Sequence, residues 1–329
     1  MSITRIGVVG TGHLGKIHTK LLKNIKNAEL VGIFDIDTAR AKEVAEEFGI
    51  VNYSSLDDFF DNVDAVSIVA TTSAHYEIVK KAFEKNVNVF VEKPITATIE
   101  EGEEIVKIAR EKGLKLQVGH IERFNPALLS VDSIELNPMF IQTDRLAQFN
   151  PRGTDVAVVL DLMIHDIDII LSLIKSEVVD IKANGVAVVS DNIDIANARL
   201  EFANGAVANV TASRISQKKM RKMRMFQRDA YISLDFNDGV AEVFRLLEDG
   251  SPDMANKISF GEMGVGEKKK MIVYEQPPQK EVNALQHELQ LFIDCVNDDT
   301  EPVVTGAQGL RALIVAQQIL KEIEKSKIV

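Results

Sequence analysis

A chain of 329 residues with 46% hydrophobic and 26% charged side chains is too long for one ordinary core and too apolar for a disordered polymer, so two domains are expected. The formal net charge of -11 repels polyphosphates and anionic lipid surfaces, which excludes a general nucleic-acid or membrane binder and leaves small ligands open. A single cysteine, Cys295, excludes an internal disulfide, and the N-terminus lacks the apolar length of a signal peptide, so a reducing, cytoplasmic setting is expected.

Along the first third of the chain, short β-branched runs at 5–9, 30–34, 65–70, 88–91 and 114–119 read as buried strands, because no polar residue alternates regularly within them. Amphipathic helices lie between them. Residues 14–25 place Leu14, Ile17, Leu21, Leu22 and Ile25 on one face, and residues 99–112 do the same with Ile105, Ile108 and Ala109. Repeated strand–helix alternation demands right-handed crossovers and a parallel, doubly wound sheet with helices on both sides.

At the first strand-to-helix turn stands Gly10-Thr11-Gly12-His13-Leu14-Gly15, the pattern G-x-G-x-x-G. Gly10 permits a tight turn, Gly12 lets a pyrophosphate approach the backbone, and Gly15 lets helix and strand pack closely. The helix opening at His13 and Leu14 offers free N–H groups and a partial positive charge to phosphate. The second strand ends in Asp35, placed to accept hydrogen bonds from a ribose diol. A 2′-phosphate would face that carboxylate, and Ile36 and Asp37 bring no cation, so a Rossmann domain selecting NAD over NADP is expected; Arg40 is the nearest cation in sequence.

A later strand ends in Glu92-Lys93-Pro94. Ligands of doubly wound sheets bind beyond the carboxyl ends of strands, so Lys93 is placed to stabilise a developing alkoxide or exchange its proton. The alternative is a surface lysine paired with Glu92. Pro94 holds its predecessor extended and admits a cis bond. Residues 156–174 are the most apolar long stretch, yet Asp161, His165, Asp166 and Asp168 interrupt them, so they form no membrane span. They read as a helix with Asp161 and His165 one turn apart on one face. A lone histidine there is ordinarily a satisfied core residue, but several buried acids would each need partners.

The second half reads as strands at 178–189, 195–202, 206–215, 231–236 and 240–247, with hairpin signals at Asn204-Gly205 and Asp238-Gly239, hence antiparallel pairing. The cation-rich segment 218–228, with Met220, Met223, Met225 and Phe226 interleaved, reads as a solvated or oligomer-facing strand, and 261–270 as a flexible loop. Helices at 281–296 and 307–325 close the chain, the last opened by a Thr305/Gln308 capping box. No cluster of histidine, cysteine and carboxylate has ligand spacing, so no metal is expected.

The glycine turn, Glu92-Lys93-Pro94 and Asp161-x-x-x-His165 together resemble the Gfo/Idh/MocA oxidoreductases over nearly the whole chain. The resemblance implies an α/β protein with an N-terminal Rossmann domain (1–121) and a C-terminal α/β domain (122–329) built on a large, mostly antiparallel open sheet. It further implies homodimers or homotetramers through that sheet, and a C-terminal helix that can pack back on the first domain. It implies catalysis by Lys93 and His165, Asp161 as a substrate ligand, and cofactor contacts from Glu92 and from Thr71, Thr72 and His75, the last positional. Gly119-His120-Ile121-Glu122-Arg123-Phe124-Asn125-Pro126 and Asn150-Pro151-Arg152-Gly153 resemble the members that oxidise the 3-hydroxyl of UDP-N-acetylglucosamine or its uronic acid. Arg123, Asn125 and Arg152 would then hold the substrate, since guanidinium forks bind diphosphate bidentately. Structural salt bridges are the alternative for both arginines. Three readings follow: a nucleotide-sugar 3-dehydrogenase, a free-sugar or inositol dehydrogenase, and a non-catalytic NAD(H)-binding regulator.

Overall fold

A computed structural model describes residues 3–150, 156–254 and 258–326. The chain divides into two units, Met1–Ile121 with Asn283–Ile314, and Glu122–Val282 with Val315–Val329.

In the first unit, β1 (Thr4–Val9), α1 (His13–Leu22), β2 (Ala28–Phe34), α2 (Thr38–Phe48), β3 (Val51–Asn52), α3 (Leu56–Asp61), β4 (Ala65–Ile68), α4 (Thr72–Glu84), β5 (Asn88–Glu92), α5 (Ile99–Lys112) and β6 (Leu116–Gly119) alternate as expected. All six strands pair parallel in the order β3-β2-β1-β4-β5-β6. The order reverses between β1 and β4, which opens a ligand crevice beyond their carboxyl ends. Local chemistry sets the element ends. Thr98 and Glu101 form a reciprocal capping box at the start of α5, and Gly113 ends that helix in the left-handed conformation.

Two sequence expectations change here. Helix α1 buries Gly15, His18, Thr19 and Leu22, while Leu14 is 39% exposed. Of the expected face, Leu22 and Ile25 lie in the core and Ile17 and Leu21 pack against it, so only Leu14 turns outward, because the close approach at Gly15 fixes which side meets the sheet. The other change concerns α8 (Ala284–Asp298), in the segment read as part of the second domain. Its Leu285, Leu289, Phe292 and Ile293 join Ile6, Val8, Ile33 and Phe90 in one cluster of the first unit. Each such burial contributes roughly 1.5–3 kcal/mol, so the segment docks where its apolar face is covered.

The second unit holds α6 (Pro126–Leu129), β7 (Phe140–Leu146), α7 (Ile164–Leu173), β8 (Val178–Val186), β9 (Ile195–Phe202), β10 (Val207–Ser213), β11 (Met220–Phe226), β12 (Ala230–Asp235), β13 (Val240–Leu247), β14 (Ile258–Met263) and β15 (Lys270–Glu275). They form a nine-stranded sheet in the order β14-β15-β13-β12-β11-β7-β10-β9-β8, antiparallel except where β7 and β10 run parallel. Gly205 and Gly239 take positive φ in the two anticipated hairpins. Strands β3, β7 and β15 escaped the sequence reading, and the loop expected at 261–270 begins inside β14. Every residue of β14 is exposed, so it carries no alternation to detect.

One face of this sheet buries Ile141, Ala198, Val210, Met225, Ile232 and Val243, and α7 packs against β7 and β10. The opposite face carries an aromatic row in register across the strands, Phe140–Phe226–Tyr231–Phe244–Tyr274, with neighbouring centroids 4.8–5.9 Å apart. Final helix α9 (Gly306–Ser326) opens with the expected box: the Thr305 amide donates to Gln308 Oε1 at 3.0 Å and the Gln308 amide to Thr305 Oγ1 at 3.2 Å. Among the described residues, no helix is long and apolar enough to cross a membrane.

Candidate active site

The glycine turn behaves as its spacing requires. Gly10 has φ +95°, and a Cβ there would lie 2.7 Å from the Val69 backbone; a Cβ on Gly15 would lie 1.9 Å from the Gly10 carbonyl oxygen. Gly12 differs, since a Cβ on it would meet nothing within 4 Å, and its open side adjoins the start of α1. A cavity of about 490 Å³ runs over Gly10 and Gly12 to Phe34, Asp35, Arg40, Val69, Thr71 and Ile78. Its walls are mostly apolar, with the carboxylate at one end, which suits an adenosine whose ribose diol meets Asp35. These residues fit NAD.

Asp35 is held firmly. Its carboxylate accepts from the Thr11 amide at 2.6 Å, the Thr11 hydroxyl at 2.8 Å, the Asp37 amide at 2.8 Å and the Arg40 guanidinium at 3.2 Å. Burial alone would push its carboxyl up, but the Thr11 and Asp37 amides, the Thr11 hydroxyl and Arg40 together hold it below the usual carboxylate range. It stays charged, and Arg40 is the cation that the sequence left at a distance.

Strand β5 delivers Glu92 and Lys93, both half-buried, and the Lys93–Pro94 peptide is cis. The Lys93 amide approaches its neighbour's Oε2 at 3.3 Å. Thr71 occupies the N-cap position of α4 without a side-chain capping bond, Thr72 is its first residue, and His75, one turn in, is buried. The His75 ring lies between two carbonyl oxygens, Nδ1 at 3.0 Å from Pro94 and Nε2 at 3.1 Å from Ala70. Burial pushes this imidazole down despite those carbonyls, which suits a neutral, positional group. With a single N–H it donates to one of these carbonyls, so the ring sits between the loop after Lys93 and the segment after β4, bonded to one of them.

In the second unit, residues Val159–Met163 form a π-helical turn that runs directly into α7. Asp161 and His165 are half-buried along this segment. The acids that seemed to need partners have them. Asp166 receives two bonds from Arg145, Nε at 2.8 Å and Nη2 at 2.9 Å, while Arg145 Nη1 reaches Glu122 at 2.8 Å. Burial alone would lower the Arg145 pKa, but Asp166 and Glu122 more than offset this and raise it above its ordinary value. Asp168 takes the Nε and Nη2 of Arg123 at 2.6 and 2.7 Å. These pairs pin α7 to β7 and to the 121–125 turn, fixing the helix that carries His165.

Two of the expected substrate ligands also make internal contacts. The Nε and Nη2 edge of Arg123 meets Asp168, the salt bridge named as the alternative. Asn125 caps α6: its Oδ1 accepts from the Ala127 amide at 3.0 Å, and its Nδ2 donates to Glu122 at 3.0 Å and to the Phe236 carbonyl at 3.1 Å. Arg152 lies outside the described residues. His13 and Leu14 are exposed at the first turn of α1. Reading from sequence missed Arg145, Glu122 and His18. A polar residue three positions after Gly15, on the stripe where the close helix–strand contact points, was the available signal for His18.

Over residues 4–120 the chain matches the family described as "Oxidoreductase family, NAD-binding Rossmann fold", and over residues 138–233 the "GFO/IDH/MocA C-terminal domain". It is 35% identical over 321 residues to the UDP-N-acetylglucosamine 3-dehydrogenase of Acidithiobacillus ferrooxidans, covering 97% of each chain. A solved structure of that enzyme superposes with a TM-score of 0.87 at 34% identity, covering 99% of each chain. The scyllo-inositol 2-dehydrogenase (NAD(+)) of Bacillus subtilis is 33% identical over 64% of this chain and 68% of its own. Fold and site define an NAD-binding dehydrogenase. The chain belongs to the Gfo/Idh/MocA oxidoreductase family.

Proposed function

We propose that this dehydrogenase oxidises the 3-hydroxyl of a UDP-N-acetylglucosamine-type nucleotide sugar. The observation that carries this reading is 35% identity to an enzyme of that name across 97% of each chain, where inositol dehydrogenases aligned over 98–99% of this chain are 23–25% identical. Bound NAD supplies the hydride acceptor. His165 takes the hydroxyl proton onto its imidazole as the carbon–hydrogen bond is lost, and Lys93 steadies the forming oxyanion with its ammonium. Asp161 orients the sugar, and the backbone at Gly10–Gly15 with Asp35 orients the dinucleotide beside Thr71, Thr72, His75 and Glu92. On its chemistry alone, Arg152 is the proposed diphosphate ligand.

A free-sugar or inositol substrate is the second reading, favoured by one observation: Arg123, one of the two arginines proposed for a diphosphate, and Asn125, a proposed substrate ligand, are engaged internally. Single-turnover reduction of bound NAD separates the readings. UDP-N-acetylglucosamine should give turnover where myo- and scyllo-inositol do not, and the reverse pattern would reverse the assignment. Lys93→Met and His165→Asn should each slow the step by about 10²–10⁴-fold; wild-type rates in both would remove the pair from the chemistry.

The enzyme is further proposed to be cytoplasmic and to work as a homodimer or homotetramer through the aromatic face of the nine-stranded sheet. Phe226 is 42% and Phe260 59% exposed there, a contiguous apolar surface of the kind that marks an interface. Light scattering on Phe226→Lys should show smaller particles than wild type; unchanged mass would place the interface elsewhere.

A further inference from the structure

We propose that His18 is a positioning residue for Lys93, acting through the carboxylate of Glu92. The inference rests on Lys93 being the catalytic lysine of the function proposed above. His18 is fully buried on α1, beneath the carboxyl ends of β4 and β5. Its Nδ1 lies 2.8 Å from the Ser67 hydroxyl, and its Nε2 lies 3.2 Å from Glu92 Oε1. The second approach is off-axis, a close polar contact and not an aligned hydrogen bond. Phe90 packs edge-on against the ring at 5.7 Å, so both nitrogens work in a dry setting.

Three features show that this group serves the carboxylate. Ser67 is a fully buried polar residue in the strand Ala65–Ile68, whose other residues are all apolar, and its hydroxyl meets His18. A core needing only volume would place alkyl groups at both positions, since buried polar atoms cost free energy unless they are paired. Gly119 stands opposite, and a Cβ there would lie 2.9 Å from Glu92 Cδ and Oε1. The space is kept for the acid. The other carboxylate oxygen meets the Lys93 amide at 3.3 Å.

The chain of contacts is thus Ser67, His18, Glu92, then the backbone of Lys93. Its internal logic sets the ring tautomer. A carboxylate only accepts, so the tautomer with its hydrogen on Nε2 is the one that avoids two acceptors facing each other at 3.2 Å, and Nδ1 then accepts from the Ser67 hydroxyl. Locked in this way, the imidazole fixes the Glu92 rotamer, and the carboxylate fixes where the next residue leaves the strand. Errors of about 1 Å at a reacting group cost about 10²-fold in rate.

The tautomer is read first, on the full wild-type chain without cofactor, from ring ¹⁵N shifts of histidine-labelled protein. His18 should carry its proton on Nε2 and Ser67→Ala should weaken that preference; a ring protonated on Nδ1 alone would overturn the proposal. Variants then test the link. Gln places its amide nitrogen where Nε2 stands, and Asn places its own where Nδ1 stands. His18→Asn should move the Lys93 amide resonance and slow single-turnover hydride transfer from UDP-N-acetylglucosamine by about 30–100-fold, with NADH affinity within about twofold. His18→Gln should recover most of the loss. Equal losses in both variants, or a Lys93 amide that does not move, would reduce His18 to a packing residue. If Lys93→Met keeps wild-type rates, the role of the lysine falls, while the ring and amide shifts still decide whether His18 positions it.

Discussion

Arg40 sets its Nη2 3.2 Å from each carboxylate oxygen of Asp35. The acid proposed to select against a 2′-phosphate thus holds the cation that would welcome one. Removing the acid should expose the cation. Asp35→Ser is expected to lower kcat/KM for NAD by about 10–100-fold, the worth of charge-assisted hydrogen bonds, and to raise the NADP/NAD ratio. Adding Arg40→Ala should cancel the gain with NADP. Initial rates with both cofactors check this, and an unchanged ratio in Asp35→Ser would remove Asp35 as the selector.

Gly12 and Gly15 should fail in different ways. Gly15→Ala forces a Cβ to 1.9 Å from a backbone oxygen, so the turn must shift and the melting temperature should fall. Gly12→Ala meets nothing in the protein. It should melt as wild type does while losing at least about tenfold in NADH affinity, because its methyl enters the pyrophosphate's space. Calorimetry and NADH fluorescence titration separate the two; equal melting losses would contradict the open space at Gly12.

Arg145→Met should be the most destabilising of these single changes. It leaves Asp166 and Glu122 as buried carboxylates without their shared cation, a loss of about 3–5 kcal/mol. Urea unfolding measures it. Because the same guanidinium anchors α7, hydride transfer should drop as well, even in protein that remains folded.

Asp194 gives a pH signature. It accepts from the amides of Val188, Val189 and Ser190 at 2.8, 2.7 and 3.1 Å and from the Ser190 hydroxyl at 2.7 Å. Burial would push its carboxyl up, but those amides and that hydroxyl hold it down to about 2. The unfolded value is about 3.9, so the stabilisation is fully present above that and is lost as pH falls through about 2. Asp194→Asn should therefore cost stability at pH 6, and the gap to wild type should close between about pH 4 and pH 2. A gap independent of pH would show that charge at Asp194 is irrelevant.

What could be read from sequence was what short stretches of chain decide. Alternating strands and helices, the Gly10–Gly15 turn, Asp35 at the end of β2, Lys93 at the end of β5 and the glycine hairpins at 205 and 239 follow from periodicity and backbone sterics within a few residues. Tertiary structure alone decided which partner each buried charge found. Arg123 was chemically suited to a diphosphate, but its Nε and Nη2 edge meets Asp168, 45 positions away. His18 turned inward because Gly15 sets the rotation of α1, and α8 joined the first unit because its apolar face matches that core. β14 stayed hidden because exposed residues leave no pattern. A charge taken out of water must be neutralised by whatever lies nearest in space, and that neighbour is set by the packing of distant elements, which spacing along the chain does not encode.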